Sequence, residues 1–384
     1  MPCIAFIHNR FPAGGAERIT MDIADYLYKS GKSYQVYVYA SSFQNQDSIP
    51  HITTRTIPRK GKARSEAVES LIIQDRIDIV VQVTAPIDDI SGIRARTGCK
   101  AVLANHGEPF WQRYTIINRR QNSFIKRVLW RMYNKRRYID EGLAMKMAIE
   151  RSRRQYDECD AYTVLCNAYK EHTEKAFGID PAASHIYPIE NPEHQVNDIQ
   201  WDKDKIILFC GRLELWSKRI DRLLRIWGTI QDRIPDWKLM IVGDGPGRIH
   251  LERQVKYHKL KRVEFKGAHS DTSQFYRKAS IVALTSQTEG WPLALTEGQA
   301  HGCIPIAFGC TEGIHDILSP NGKNGFEIHA FDENEYARTL VKITEMTQEE
   351  QLAIRQSAVA KRLQYTPEHI ASKWERLFDG LMNL

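Results

Sequence analysis

Short runs of apolar residues alternate along the chain with longer stretches in which apolar positions recur every three to four residues. Short apolar runs are typical of buried strands, and the longer periodic stretches are typical of helices that pack on them. Strands and helices in regular alternation predict βαβ units on parallel sheets, and hence an α/β fold. The predicted strands are residues 3–8, 34–40, 77–83, 100–105, 162–166, 185–189, 205–210, 237–242, 262–266, 280–284 and 304–308.

The alternation is interrupted once, at residues 191–204, which are polar, lack periodicity and begin with an Asn-Pro turn signal. This interruption predicts two doubly wound, Rossmann-like domains with a ligand cleft between them, at the carboxyl ends of their strands. We expect an N-terminal domain at 1–192, a linker at 193–204, a C-terminal domain at 205–366 and a terminal helix at 367–384.

Composition narrows the class of protein. The 384 residues are 42% hydrophobic and 26% charged, which is enough apolar material for two cores. Seven scattered cysteines without Cys-x2-Cys spacing argue against a disulfide framework or a zinc knuckle. No run approaches the ~18 apolar residues of a membrane span, and no secretory signal precedes the first strand. We therefore expect a protein of the reducing cytoplasm.

The net charge of +7 is concentrated in one segment. Residues 113–154 carry thirteen Lys or Arg against three acidic residues, so the remainder of the chain is slightly acidic. Residues 110–141 lack Gly and Pro, which predicts a helix with one apolar face and one basic face. The basic face contains Lys126, Arg127, Arg131 and Arg137, together with Trp130.

Three interpretations fit this basic helix: a solvated face, a contact with an anionic membrane or lipid diphosphate, and nucleic-acid binding. Basic residues beside an interfacial tryptophan favour the membrane surface. No RNP motif or zinc finger accompanies the charge, so we expect no nucleic-acid partner. The membrane interpretation predicts a peripheral protein at the inner face of the membrane.

Three motifs follow predicted strands. Gly14-Gly15-Ala16-Glu17-Arg18 lies between the first strand and a helix, where adjacent glycines let a phosphate approach the helix N-terminus. Gly211-Arg212-Leu213 follows the strand at 205–210, and Lys218-Arg219 begins the next helix. An arginine and a lysine so placed can hold a diphosphate.

The third motif, residues 288–302, follows the strand at 280–284 and reads TEGWPLALTEGQAHG. It places Glu289 on a loop and Glu297 on a helix that begins near Pro292. Carboxylates accept hydrogen bonds from sugar hydroxyls, and the free N–H groups of a helix start can bind phosphate.

In this order, and at these points of two Rossmann-like domains, the three motifs resemble the retaining glycosyltransferases of family 4, which have the GT-B fold. Tyr187 to Pro192 and Gly243-Asp244-Gly245-Pro246 support the resemblance, which extends over residues 3–380. It implies an N-terminal acceptor domain, a C-terminal nucleotide-sugar domain, and terminal helices that pack back toward the N-terminal domain.

The resemblance also implies roles for individual residues. Arg212 and Lys218 would bind the diphosphate of a nucleotide-sugar and Glu297 its ribose, while Gly15 would close over the phosphate. Glu289 and the backbone of Gly290, Trp291, Pro292 and Leu293 would hold the donor sugar and β-phosphate. His106, in Asn105-His106-Gly107, matches the active-site histidine of the family. Gly243 and the region of Lys266 are further candidates near the nucleotide.

One spacing departs from the family pattern, in which a Lys-Gly pair follows the arginine by five residues. Here Lys218 follows Arg212 by six and precedes Arg219. Either the loop 214–217 is one residue longer, or Arg219 shares the phosphate role.

The expected function is transfer of a sugar from a nucleotide-diphosphate sugar to a hydroxyl of a lipid-linked or envelope saccharide. We expect no cofactor and no metal, since no Asp-x-Asp motif follows a strand and no histidine pair has zinc spacing. A phosphorylase or a sucrose- or trehalose-type synthase is the first alternative. A non-enzymatic membrane- or RNA-binding scaffold is the second.

Overall fold

The computed structural model describes residues 2–12, 15–30, 34–44, 50–83, 86–117 and 136–383. Contacts divide the chain into two compact units. Unit 1 comprises Met1–Glu190 and Ile370–Leu384, and unit 2 comprises Asn191–His369. Residues 193–204, which the sequence predicts as a linker, belong to unit 2 in this division.

Unit 1 is built on a parallel sheet whose described strands follow the order β3-β2-β1-β4-β5-β6-β7. Strands β1, β4 and β6 are buried along almost their whole length, which explains why they read as continuous apolar runs. The strands are β1 (Cys3–His8), β2 (Gln35–Ala40), β3 (Ile52–Thr56), β4 (Ile79–Gln82), β5 (Lys100–Ala104), β6 (Ala161–Val164) and β7 (Ile186–Pro188). The described helices are α1 (Gly15–Lys29), α2 (Lys62–Gln74), α3 (Ile90–Thr97), α4 (Gln112–Ile117), α5 (Leu143–Asp157) and α6 (Asn167–Phe177).

Unit 2 has a second parallel sheet, in the order β10-β9-β8-β11-β12-β13. Its strands are β8 (Asp204–Cys210), β9 (Lys238–Val242), β10 (Val263–Gly267), β11 (Ala279–Leu284), β12 (Ile304–Phe308) and β13 (Phe326–Ile328). Its helices are α7 (Ile220–Ile230), α8 (Arg248–Tyr257), α9 (Ser273–Lys278), α10 (Leu293–Ala300), α11 (Glu312–Leu318), α12 (Glu333–Glu345) and α13 (Gln348–Arg362). The predicted α/β class with two doubly wound parallel sheets is confirmed.

The final helix, α14 (Pro367–Met382), completes the core of unit 1 rather than extending unit 2. Its apolar face, which includes Trp374 and Phe378, joins the buried cluster formed by β1, β2 and α1. The Phe378 ring meets the Phe6 ring edge-on at 6.5 Å, and Tyr34 Oη donates to Asp379 at 2.6 Å. The expected return of the C-terminus to the N-terminal domain is therefore confirmed.

All eleven predicted strands form, and two further strands, β3 and β13, were not predicted. Both lie at an edge of their sheet. Over the described ranges, no helix combines the length and the apolar character needed to cross a bilayer.

Candidate active site

Each sheet reverses its strand order once. In unit 2 the chain moves from β8 outward to β10 and then returns to place β11 on the other side of β8. In unit 1 the corresponding reversal lies between β1 and β4. Connections on the two sides of such a reversal leave in opposite directions and open a crevice at the carboxyl ends of the strands. The loops after β8 and β11, and the loops after β1 and β4, are therefore where a ligand is expected.

Lys218, on the loop after β8, forms an ion pair with Glu289, on the loop after β11. Its Nζ lies 2.7 and 2.8 Å from the two carboxylate oxygens of Glu289. Ser286 Oγ donates to Glu289 Oε1 at 2.6 Å. The Glu289 side chain is 8% exposed and the Lys218 side chain 28%. The pair therefore joins a buried carboxylate to an ammonium that solvent, or an incoming anion, can still reach.

Direct hydrogen bonds hold these two loops together. Gln287 N donates to the Ser217 carbonyl at 2.6 Å, and Thr285 Oγ1 donates to the Arg219 carbonyl at 2.9 Å. Arg222 Nη2, from α7, donates to Gln287 Oε1 at 2.6 Å. Because two of these bonds join the loops directly and the third ties the second loop to α7, the position of Lys218 is set by residues of both loops.

The Arg219 guanidinium is directed to a carboxylate of its own helix. Its Nε and Nη2 donate to the two oxygens of Asp221 at 2.9 and 3.0 Å. Burial opposes the ionisation of Asp221, but Arg219 and Arg225 hold its pKa below the usual value. A diphosphate would have to compete with Asp221 for Arg219, whose share in phosphate binding stays a prediction.

Arg212 is exposed at the carboxyl end of β8, where the loops after β8 and β9 lie side by side. Leu213 N donates to the Asp244 carbonyl at 2.9 Å. A Cβ on Gly243 would lie 1.9 Å from the Gly211 carbonyl oxygen, and Gly243 has φ +128°. Only glycine fits this approach, which brings the predicted Gly243 next to Arg212.

Lys266 lies near the end of β10. Gly243 N donates to the carbonyl of Gly267, the residue after Lys266, at 2.7 Å. Lys266 Nζ lies 2.8 Å from Glu264 Oε2. Lys266 thus lies beside the carboxyl end of β9, on the strand at the edge of the sheet, and its ammonium forms an ion pair with Glu264.

Helix α10 lies within the third motif, with Pro292 at its N-cap. The Trp291 ring is buried and meets the Tyr365 ring edge-on at 5.0 Å. A donor role for Trp291 must therefore be that of its backbone N–H. Glu297, one turn into the helix, is half-buried. Burial, together with the Glu297 carboxylate, raises the pKa of Tyr276 well above its usual value, which places Glu297 close to that phenol.

Two predicted site residues, Gly15 and His106, lie in unit 1. Gly15 is the first residue of α1 and is exposed. His106 follows β5 and is half-buried.

Sequence reasoning missed a buried pair in the same unit. His8 ends β1 and is fully buried, and its Nδ1 lies 3.7 Å from Glu17 Oε1 in the first turn of α1. His8 Nε2 hydrogen-bonds Thr20 Oγ1 at 2.9 Å. Burial opposes the ionisation of Glu17, but the neighbouring His8 imidazole and the electrostatic influence of His106 hold its pKa below the usual value. The only sequence signal was that both residues flank the Gly-Gly turn.

Of the predicted basic helix, Lys126, Arg127, Trp130 and Arg131 lie outside the described residues. Arg137 is described and is exposed in a short helical turn, Arg136–Asp140. Two large apolar side chains close to it in sequence are exposed, Ile139 at 42% and Met147 at 42%, and Trp111, earlier in the chain, is 47% exposed. No group of three or more His, Cys, Asp or Glu side chains suited to a metal ion is found in the described part of the chain.

Two family models together match most of the chain. The model for Glycosyltransferase Family 4 matches residues 13–191, and the model for Glycosyl transferases group 1 matches residues 204–346. The chain belongs to the group 1, family 4 glycosyltransferases. This confirms the resemblance stated from the motifs, and with it the expectation of an enzyme.

Two curated relatives align with most of this glycosyltransferase. An uncharacterized glycosyltransferase of Haemophilus influenzae is 26% identical over 331 residues, 84% of each chain. A Campylobacter jejuni enzyme is 25% identical over 352 residues, 88% of this chain and 87% of that one. Its name is GalNAc-alpha-(1->4)-GalNAc-alpha-(1->3)-diNAcBac-PP-undecaprenol alpha-1,4-N-acetyl-D-galactosaminyltransferase.

Solved structures show the same GT-B fold. Anabaena HepE, whose structure was determined in complex with UDP and glucose, superposes on the glycosyltransferase with a TM-score of 0.71 at 16% identity. The match covers 99% of each chain.

Proposed function

We propose that this glycosyltransferase moves a sugar, with retention of configuration and without a metal ion, from a nucleotide-diphosphate sugar to a saccharide hydroxyl. The observation that carries the proposal is the Lys218–Glu289 pair at the strand reversal of unit 2, together with Arg212, which is exposed just after β8.

The donor's diphosphate binds Arg212 and Lys218. These cations, with the N–H groups at the start of α10, stabilise the negative charge that grows as the sugar–phosphate bond breaks. They take the part that a metal ion plays in other transferases. The acceptor oxygen forms the new bond to the anomeric carbon as the bond to the phosphate breaks, and its proton passes to an oxygen of the leaving diphosphate. Retention is proposed from membership of the family.

Glu289 and Glu297 supply the acceptors for hydroxyl groups of the donor. Glu289 accepts a hydrogen bond from a hydroxyl of the donor sugar while it contacts Lys218, and Glu297 accepts hydrogen bonds from the ribose hydroxyls. His106 is assigned to the donor sugar and Gly15 to the phosphate, the roles that the family resemblance implies. HepE, bound to UDP and glucose, supports a nucleotide-sugar donor.

A thermal-shift screen with UDP-, GDP- and ADP-sugars tests the donor. Ligands that bind only the folded protein raise its melting temperature, so one nucleotide should stabilise the wild type and fail to stabilise Glu297→Ala. A wild type that responds to none of them contradicts the proposal. Transfer that persists in a chelator supports the absence of a metal, and NMR of the product's anomeric proton reports retention.

The proposed acceptor is a lipid-linked or cell-envelope saccharide, reached by peripheral contact at the cytoplasmic face of the membrane. The undecaprenol-linked substrate named for the Campylobacter relative supports such an acceptor. The basic segment 113–154 supports the contact with anionic lipid.

Changing Lys126, Arg127 and Arg131 to Glu should abolish binding to anionic liposomes, since each basic residue near such a surface contributes roughly 1 kcal/mol. The matched control reverses Arg253, Lys256 and Lys259, three exposed basic residues of unit 2, and should bind as the wild type does. Wild-type binding should weaken as salt rises, because exposed charges are screened over ~8 Å at physiological ionic strength. If both triple variants lose binding equally, the contact is due to net charge alone.

A further inference from the structure

The chain passes from unit 1 to unit 2 after Glu190 and returns after His369. We call residues 191–194 the outgoing segment and residues 362–366 the returning segment. Both lie within unit 2.

The outgoing segment contains a buried carboxylate that reaches the helix α10. Glu193 is 4% exposed, and its Oε2 accepts a hydrogen bond from Thr296 Oγ1 at 3.0 Å. Its other oxygen accepts from His194 N at 3.1 Å. Thr296 is fully buried and directly precedes Glu297. The outgoing segment therefore supplies a charged hydrogen-bond acceptor to a residue of α10.

The returning segment attaches to the same place. Glu193 N donates to the Tyr365 carbonyl at 2.7 Å, and Arg362 Nη1 donates to the Glu193 carbonyl at 3.3 Å. The Tyr365 ring packs edge-on against Trp291, immediately before α10. Arg362 is 1% exposed; burial lowers its pKa, and the Glu193 charge opposes that effect. The two segments and the start of α10 therefore share one buried polar cluster.

The Thr296 hydroxyl has one proton and two acceptors. It lies 3.0 Å from the Leu293 carbonyl, the ordinary partner one turn back, and 3.0 Å from Glu193. Hydrogen bonds to an ionised carboxylate are the stronger of the two kinds, so the proton favours Glu193. The Thr296 hydroxyl therefore donates mainly to Glu193 of the outgoing segment and less to the carbonyl of its own helix.

We propose that Glu193 and Thr296 are positioning residues that fix α10 to both segments, so that a nucleotide bound at α10 also restrains the chain where it passes between the units. The proposal rests on the proposed function, which places the donor at the start of α10. Neither residue touches the donor; both act through the backbone of α10 and through Glu297.

The test is hydrogen–deuterium exchange with and without nucleotide, on the full-length wild type and three variants. The probe is UDP, GDP or ADP, whichever gives the largest thermal shift. Thr296→Val removes the hydroxyl and keeps the shape, and Thr296→Ser restores the hydroxyl. The matched control is Thr344→Val, because Thr344 Oγ1 also donates to a carbonyl one turn back, Val341 at 2.7 Å, in the distant helix α12.

In the wild type, nucleotide should slow exchange in the loop before α10 and in both segments. In Thr296→Val, nucleotide affinity should fall about 2- to 10-fold, less than the loss of a hydrogen bond to a charged group would give, because Thr296 acts on the donor only through α10. At saturating nucleotide the loop should still be protected in this variant, while the outgoing segment is not. Thr296→Ser and Thr344→Val should behave as the wild type does.

Protection of the outgoing segment that is unchanged in Thr296→Val overturns the inference, even if that variant melts at a lower temperature. Protection of the loop alone in the wild type overturns it as well, and leaves the proposed function standing. A wild type that shows neither a thermal shift nor protection with any of the three nucleotides overturns the proposed function and the inference together.

Discussion

Removing Lys218 should destabilise unit 2 more than removing the charge of its partner. In Lys218→Met, the Glu289 carboxylate loses the ammonium at 2.7 Å while water hardly reaches it. In Glu289→Gln, the Lys218 ammonium loses its carboxylate but keeps access to water. Breaking a buried pair costs about 3 to 5 kcal/mol, and an exposed one ~1 kcal/mol or less. We expect about 3 kcal/mol for the lysine variant and about 1 kcal/mol for the glutamate variant.

The double variant tests whether the two effects have one cause. With both charges gone, no buried carboxylate remains uncompensated, so the double variant should lose only about 2 kcal/mol and the coupling should be about 2 kcal/mol. For a domain of this size, each kcal/mol moves Tm by ~2 to 4 °C. Urea unfolding and calorimetry of the four proteins measure the cycle. Equal and additive losses would refute the description of Lys218 as the counter-ion of a buried carboxylate.

The same variants separate the two proposed roles in donor binding. UDP carries the diphosphate but no sugar, so Lys218→Met should weaken UDP binding by roughly 10- to 150-fold, the equivalent of about 1.5 to 3 kcal/mol. Glu289→Gln should leave UDP affinity unchanged or higher, because the carboxylate no longer competes for Lys218, and should lower kcat instead. Calorimetric Kd values and initial rates of transfer distinguish these outcomes. Weaker UDP binding in Glu289→Gln would contradict the proposed role of that residue in holding the sugar.

Glu297→Ala and Arg212→Ala should each weaken nucleotide binding roughly 10- to 150-fold without changing Tm, since neither side chain is fully buried; unchanged Kd values in both would remove the donor assignment. His106→Ala should lower kcat far more than nucleotide affinity, because the proposed function assigns His106 to the reacting sugar, and an equal fall in both would assign it to donor binding. The pKa of Glu17 is held below its usual value, so its stabilisation is complete above the unfolded pKa of ~4.3 and is lost as the pH falls through the lower folded value. The difference in unfolding free energy between wild type and Glu17→Gln should therefore be constant above about pH 5 and shrink at lower pH, and a difference that grows on acidification would show the opposite sign.

Periodicity was sufficient for the strands at the centre of each sheet and insufficient at the edges. The strands β1 and β11 are buried along almost their whole length, so each appears as an unbroken apolar run. The strand β3 reads ITTRT and is only half-buried, and β13 has three residues. An edge strand packs fewer side chains and needs fewer apolar residues, so its apolar pattern cannot be distinguished from that of a loop.

Motif order was informative about the site because every motif follows a strand, and parallel strands end at one edge of their sheet. Contacts between distant segments could not be predicted in this way. The Lys218–Glu289 pair joins loops 71 residues apart, and Glu193 reaches Thr296 across 103 residues. The His8–Glu17 pair is only nine residues apart, but it depends on how α1 is oriented relative to β1, which composition does not encode.

The bonds that connect the loops after β8 and β11 bear on attempts to change the enzyme's donor by directed evolution. Because Gln287 holds both the Ser217 carbonyl and Arg222, a substitution in one loop alters the other. Residues in one hydrogen-bonded network have non-additive effects, typically by ~0.5 to 3 kcal/mol. Libraries that vary one loop at a time would discard substitutions that are harmful alone and useful in combination. New donor specificities should be sought in libraries that randomise both loops together.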